Sequence, residues 1–421
     1  MAVLAQWKSL DRRQRNTFVA SFLGWTLDAF DFFLMVFVLR AIAAEFHSDV
    51  KAVAVAVTLT LAMRPLGALV FGMLGDRYGR RRILMLDILL FSSLELASAF
   101  APTLGALLVL RAAFGFAMGG EWGLGASLTM ETIPAETRGL ASGVLQEGYA
   151  CGFLLASVVY GLLFETIGWR GMFAVGVLPA LLVLYMRRNV EESPAWQRMR
   201  TRPRRPLGAL LRRHARLFLY VVVLMTAFNF FSHGTQDLYP TYLQSQRTLS
   251  THTVSMIAII ANLGAIVGGV IFGVLSQRIG RRRAIIAAAL LALPIIPLWG
   301  TSTQLLLVAL GAFLMQICVQ GAWGVIPVHL NELSPDEVRG TFPGFAYQLG
   351  NLLASANATL QAGFAQKHGG NYALALMIVA SAAAVSIALL ALAGPEAHGV
   401  EFGVVEGVVD AGAVALTPAS G

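Results

Sequence analysis

The sequence predicts an all-α integral membrane fold: twelve transmembrane helices in two parallel, pseudo-symmetric six-helix halves. Three observations predict it. Of 421 residues, 57% are hydrophobic and only 13% charged, about half the charged share of a soluble domain. Apolar runs of spanning length recur along the whole chain, and since roughly 20 apolar residues cross a bilayer, they leave no room for a large extramembrane catalytic domain. Three sequence blocks also repeat at one fixed offset of 201 residues.

The first run, 17–40, carries Asp28 and Asp31 and is too long for a cleaved leader, so it is expected to remain in the mature protein. Runs at 51–73, 83–101, 104–130, 139–165 and 169–187 complete the first half, residues 17–187. A polar linker, 188–215, holds Pro194, Pro203 and Pro206 and most of ten closely spaced arginines, a composition suited to lying on anionic headgroups. Runs at 216–243, 252–275, 284–300, 303–330, 340–366 and 371–393 form the second half, residues 216–393. Residues 1–16 form a short N-terminus and 394–421 an acidic tail. Cys151 and Cys318 fall inside apolar runs, without the spacing of a disulfide framework or a metal site.

Of the 31 Lys and Arg residues, 24 lie in the termini and alternate connections, 5 in the opposite connections, and Arg64 and Arg111 lie within spans. This bias places both termini in the cytoplasm and the chain in the plasma (inner) membrane. The net charge of +8 therefore tracks loop parity and bilayer contact; a nucleic-acid surface would gather basic residues on one folded face.

Gly72-Met-Leu-Gly-Asp76-Arg-Tyr-Gly-Arg80-Arg-Arg82 repeats as Gly273 to Arg283, Gly120-Glu121-Trp-Gly123 as Gly321 to Gly324, and Glu131 to Gly139 as Glu332 to Gly340, all 201 residues apart. Parallel repeats of this kind place a substrate site near the midplane between halves that rock against each other. In the first block the glycines permit a tight turn and Asp76 suits the start of the following helix; Gln277 replaces the aspartate in the second copy.

The seventh span is the most informative. Asn229, His233, Asp237 and Thr241 recur every four residues and share one helix face, with Ser232, Thr235 and Gln236 beside them. A histidine four residues from an aspartate makes a pair in which the carboxylate stabilises imidazolium and burial opposes it, so its proton occupancy can follow the facing state. Ionisable residues inside spans are costly and are functional candidates. Asp28 and Asp31 are candidates either for proton coupling or for pairing with an arginine. Glu147 in the fifth span reads more simply as a helix-packing hydrogen-bond former.

The glycine-rich block at Gly72–Arg82 resembles the hallmark loop of the major facilitator superfamily, and the resemblance covers residues 15–393. It implies that fold, alternating access, and a gate in which Asp76 and Arg80 act with Arg138 as the aspartate's nearby partner; Glu121 is assigned a gating or structural role. The segment Asn229-x-x-Ser232-His233-x-Thr235-Gln236-Asp237-x-x-x-Thr241 resembles the signature of Jen-type lactate/pyruvate:proton symporters within the sialate:proton symporter family. That resemblance implies a monocarboxylate substrate, His233 and Asp237 in proton and substrate handling, and Asn229 and Gln236 on the substrate path. It implies no cofactor other than the coupling proton, and function as a monomer. Sialate carriers of the family are expected to be longer in mid-chain, which argues against sialate here. A monocarboxylate requires a cation, and Arg111, at the head of the glycine row Gly115-x-x-x-Gly119-Gly120, is the preferred ligand over Arg64; its alternative role is pairing with Asp28, Asp31 or Glu95. Competing readings are a proton symporter for sialate or an aromatic acid, and a transporter-like nutrient receptor, for which no signalling extension is evident.

Overall fold

The computed structural model describes residues 7–201 and 207–403; Glu406 and Asp410 of the acidic tail, and Arg202, Arg204 and Arg205 of the linker, lie outside the described residues. The first half comprises α1 (Arg12–Glu45), α2 (Val50–Tyr78), α3 (Arg80–Ala99), α4 (Leu104–Met118 resumed as Glu121–Thr132), α5 (Arg138–Gln146 continued through 148–167) and α6 (169–175 resumed as Pro179–Asn189). The second comprises α7 (Ala215–Gln236 resumed as Tyr239–Ser245), α8 (Thr251–Ile279), α9 (Arg281–Thr301), α10 (Leu305–Trp323 resumed as Ile326–Leu333), α11 (Phe342–Ala354 resumed as Asn357–Lys367) and α12 (Tyr372–Ala393). Short helices Pro194–Met199 and Leu207–Arg213 lie in the connection.

Local chemistry sets these boundaries. Asp11 and Gln14 form a reciprocal capping box at the start of α1, while Asp49, Thr103 and Ser250 accept from the first free N–H groups of α2, α4 and α8. The turns from α2 to α3 and from α8 to α9 are each a single glycine, Gly79 at φ +111° and Gly280 at φ +93°, a region closed to β-carbons. Gly168, at φ +62°, breaks the helical run between α5 and α6, and the chain then returns along the bundle.

Among the described residues, eight helices are long and apolar enough to cross a membrane by themselves, the 55-residue stretch through α5 and α6 counting as one. The others fall short for local reasons. Asp28 and Asp31 lower the apolarity of α1, Arg82, Asp87 and Glu95 that of α3, and Gln348, Asn351, Asn357 and Gln361 that of α11. The outer surface is apolar, with Leu162 73% and Leu306 78% exposed, as a chain solvated by lipid requires.

The halves meet closely at the arginine-rich end. There, β-carbons on Gly139 and Gly143 of α5 would lie 2.5 and 2.3 Å from the carbonyl oxygens of Gly273 and Gly269 on α8, and one on Gly123 of α4 would lie 2.9 Å from Cα of Gly344 on α11. These contacts require glycine because the two backbones touch. Ser142 donates to the Gly324 carbonyl (2.7 Å) and Ser127 to the Arg339 carbonyl (2.7 Å), and Trp122 packs on Tyr347 at 4.8 Å between ring centroids.

Candidate functional site

The ion pairs at the arginine-rich end follow the 201-residue repeat residue by residue. Arg80 pairs with Glu131 (3.2 Å) in the first half, and its repeat mate Arg281 pairs with Glu332 (2.8 Å) in the second. Two weaker pairs cross between halves in the same symmetric manner, Arg138 to Glu332 (3.8 Å) and Arg339 to Glu131 (3.7 Å). Asp76 accepts from the N–H of Gly340 (2.8 Å), the N–H of Thr341 (3.0 Å) and the Thr341 hydroxyl (2.6 Å), closing the start of α11 onto α2. Gln277, where the second copy departs from the first, still accepts from the N–H of the equivalent Gly139 (3.1 Å) and donates to the Ala135 carbonyl (2.9 Å). A neutral amide thus keeps one of the three latch contacts, the one to the glycine N–H.

One gate expectation changes. The ionic partner of Asp76 is Arg80, one helical turn away at 3.0 Å, whereas Arg138 donates to the Met130 and Val400 carbonyls and lies over the Phe402 ring at 3.8 Å. The connecting segments also take part. Glu192 accepts from the Arg81 N–H beside Gly79, and Glu396 accepts from the Arg282 N–H beside Gly280, so each half has a carboxylate seated on its glycine turn.

Away from the seal, the seventh span presents its polar stripe. His233 Nδ1 lies 3.2 Å from Asp237 Oδ1, and Nε2 lies 3.1 Å from Asn351 Oδ1 on α11. Both ring nitrogens thus have a hydrogen-bond partner, one on its own helix and one on α11. The His233 and Asp237 side chains are 34% and 38% exposed, so the pair is only partly enclosed by the protein. Gln236 donates to Gln316 on α10 (2.9 Å) and is half-buried, as is Ser232. The helix breaks after Gln236 because Pro240 has no N–H for the Gln236 carbonyl, and the break sets Asp237 at the end of a helical segment.

The other stripe residues turn away. Asn229 donates back to the Met225 carbonyl of its own helix (2.8 Å) and is buried; Thr235 is likewise buried, its hydroxyl on the Phe231 carbonyl (2.9 Å). Gln316 and Asn351 complete the arrangement and were missed by sequence reasoning. Gln316 has a usable signal, standing four residues from Gln320 in an apolar helix; Asn351 has none.

The expectation for Arg111 as carboxylate ligand does not fit the geometry. Its side chain is 1% exposed inside the first half, paired with Glu95 (2.7 Å), donating to the Ser98 hydroxyl (2.6 Å) and lying over the Phe114 ring at 4.3 Å. The glycine row that it heads packs α4 on α2, where a β-carbon on Gly115 would lie 2.1 Å from the Thr60 carbonyl oxygen. Arg64 is also buried, 3.6 Å from Asp28 and 2.7 Å from the Met118 sulfur. Asp28 therefore has an arginine partner, while Asp31 and Glu121 are wholly buried with no hydrogen-bond partner on either carboxyl oxygen. Glu121 sits within the first half against Gly24 and Gly125, a placement that fits the structural one of its two expected roles.

The comparisons with known proteins decide the family. Residues 18–247 match the model of the Major Facilitator Superfamily, and residues 215–397 match that of the sugar (and other) transporter family. The chain belongs to the major facilitator superfamily. It is 33% identical to a probable 4-methylmuconolactone transporter of Cupriavidus pinatubonensis, over 84% of this chain and 85% of that one. It is 28% identical to the carboxylic acid transporter protein homolog of Saccharomyces cerevisiae, over 84% of this chain and 62% of that one. It is also 28% identical to the sialic acid transporter NanX of Escherichia coli, over 93% and 96%. That near-complete overlap means mid-chain length does not separate this superfamily member from a sialate carrier. Among solved structures, the proton:xylose symporter XylE superposes with a TM-score of 0.77 at 19% identity, over 92% of this chain and 97% of that one.

Proposed function

We propose that this major facilitator protein is a secondary active transporter that carries a small monocarboxylate of the lactate or pyruvate type together with a proton, by alternating access of its two halves. The observation that carries the reading is the His233–Asp237–Asn351 constellation, partly exposed while the arginine-rich end is sealed. In this reading the arginine-rich end is cytoplasmic, so the described conformation faces outward.

The chemistry follows from charge. With both span arginines enclosed by acids or packing, the imidazolium of His233 is the cation left to receive a carboxylate. Asp237 neutralises it at rest. A proton taken up by Asp237 releases His233 to the incoming carboxylate, so substrate binds only with its proton and the loaded site carries no added charge. An uncompensated charge in the closed intermediate would cost several kcal/mol, and this arrangement avoids it. Gln236, Gln316 and Asn351 supply neutral hydrogen bonds for the remainder of a short hydroxy- or keto-acid. The curated relatives, by their names transporters of organic acids, support the substrate class.

A second reading, a proton symporter for a larger sialate or aromatic acid, is favoured by the sialic acid relative. Proteoliposomes separate the two. Uptake of labelled L-lactate driven by an inward proton gradient, and lost in Asp237→Asn, is the expected result; gradient-driven uptake of sialate or an aromatic acid without lactate uptake overturns the assignment.

A further inference from the structure

Glu147 stands where α5 breaks between Gln146 and Gly148. Gly139, Gly143 and Glu147 follow one another at four-residue intervals, so they share one face, and that face forms the seam with α8. The first two meet Gly273 and Gly269 backbone to backbone. Glu147 comes next, and a β-carbon on Gly269 would lie 2.1 Å from its Oε1. Gly269 therefore makes room for a carboxyl group in the interface between the halves. The residue is 3% exposed, and its Oε1 has no hydrogen-bond partner. It lies nine residues from Arg138, or about 14 Å along the helix from the arginine-rich end.

The groups on the surrounding elements leave it uncompensated. α8 carries Arg278, more than two turns beyond Gly269; α1 carries Asp28, paired with Arg64, and Asp31; α10 carries His329 and Glu332, the latter held by Arg281. Glu121 on α4, Tyr347 on α11, and Tyr149 and Cys151 on its own helix complete the titratable neighbours. Among the described residues none is ion-paired with it. A buried carboxylate without a counter-ion costs many kcal/mol and neutralises by taking a proton.

We propose that Glu147 is a second proton site whose occupancy is set by the gate. It holds a proton while α5 and α8 are closed, and when they part it becomes hydrated, its O–H bond dissociates and the proton passes to water on the arginine-rich side. The inference rests on the proton-coupled reading above and adds to Asp237 a second residue that gives up a proton when the gate opens. The sequence alone suggested a helix-packing hydrogen bond, which Oε1 does not make.

The test uses the full chain in proteoliposomes, with L-lactate as probe. Glu147→Gln imitates the protonated acid, so it is expected to retain lactate exchange between the two sides and to lose gradient-driven accumulation at least tenfold. A variant that accumulates like wild type overturns this proposal while leaving symport intact. Should wild type itself show no gradient-driven accumulation, the symport reading fails, and infrared spectroscopy at neutral pH decides the site separately: absence of a protonated-carboxyl band in the wild-type minus Glu147→Gln difference spectrum overturns it. Should the glutamine variant not fold, Glu147→Asp takes its place; a displaced pH profile of exchange supports the proposal, and an unchanged one overturns it.

Discussion

Asp76 and Thr341, 265 residues apart, are joined by two hydrogen bonds of 3.0 and 2.6 Å, with a third from the neighbouring Gly340 N–H to the same carboxylate at 2.8 Å. The carboxylate of one half thereby occupies the helix start of the other. Hydrogen bonds to a charged group contribute about 1.5–3 kcal/mol. Asp76→Asn is expected to raise the fraction open at the arginine-rich end about tenfold, read as a longer distance between spin labels placed on α2 and α11. Gln277→Ala, which removes a neutral version of the same contact, is expected to produce a smaller shift. Unchanged distances in Asp76→Asn would show that the glycine seams hold the gate by themselves.

Arg111 yields a prediction opposite to that of a substrate ligand. Removing it leaves Glu95 charged and enclosed, a situation that costs about 3–5 kcal/mol. Arg111→Ala is expected to lower thermal stability markedly in detergent, and Arg111→Met combined with Glu95→Gln to recover most of it together with transport. A well-folded Arg111→Ala protein with a raised KM would instead return Arg111 to the substrate site.

How far the sequence reached is instructive in particular residues. The twelve spans, the repeat and the His233–Asp237 pair were legible because each is written in short-range spacing: apolar run length, a fixed offset, a four-residue interval. The symmetric ion pairs follow from the same offset once Glu131 and Glu332 are noticed. Arg111 takes the second of its two expected roles, the pairing with Glu95, because helical periodicity shows that a residue faces a neighbour, not whether that neighbour is a glutamate on α3 or the space between the halves. Asn351 and Phe402 were missed for a related reason, being single residues brought into place by chain returning from far away.

At the end opposite the seal, Glu45 lies beyond the apolar stretch of α1 and accepts from Arg170 (2.7 Å) and from the Trp169 indole. Slight burial raises its pKa, but the hydrogen bonds from Arg170 and Trp169 and the guanidinium charge outweigh this and hold it below the usual carboxylate value. With the folded value depressed, the stabilisation is present above the unfolded pKa and disappears as pH falls through the folded one. The pair is 38% and 44% exposed, so its worth is about 0–1 kcal/mol. Glu45→Gln is expected to be slightly less stable than wild type at pH 7 and equal to it at strongly acid pH. A difference that grows on acidification would contradict the sign.

Phe402 lies past the end of α12 yet is 3% exposed, because its ring sits between Arg138 of the first half and Arg339 of the second, 3.8 and 4.0 Å from the two guanidinium carbons. Main-chain contacts fasten the segment on both sides: Arg198 of the connection donates to the Phe402 carbonyl (2.7 Å), and the N–H groups of Gly399 and Gly403 donate to Glu332 and Asp336. The ring therefore touches both halves, and parting them must break at least one cation–π contact, each worth about 0.5–2 kcal/mol. Phe402→Ala retains the ion pairs of both arginines, so the seal is expected to remain closed at rest but to open faster. Lactate counterflow should speed up several-fold with little change in thermal stability. Phe402→Trp, a better ring for a cation, should slow it if the pocket admits the larger side chain. Equal rates in wild type and Phe402→Ala would show that separating the halves does not limit turnover, and would move the slow step to the His233–Asp237 site.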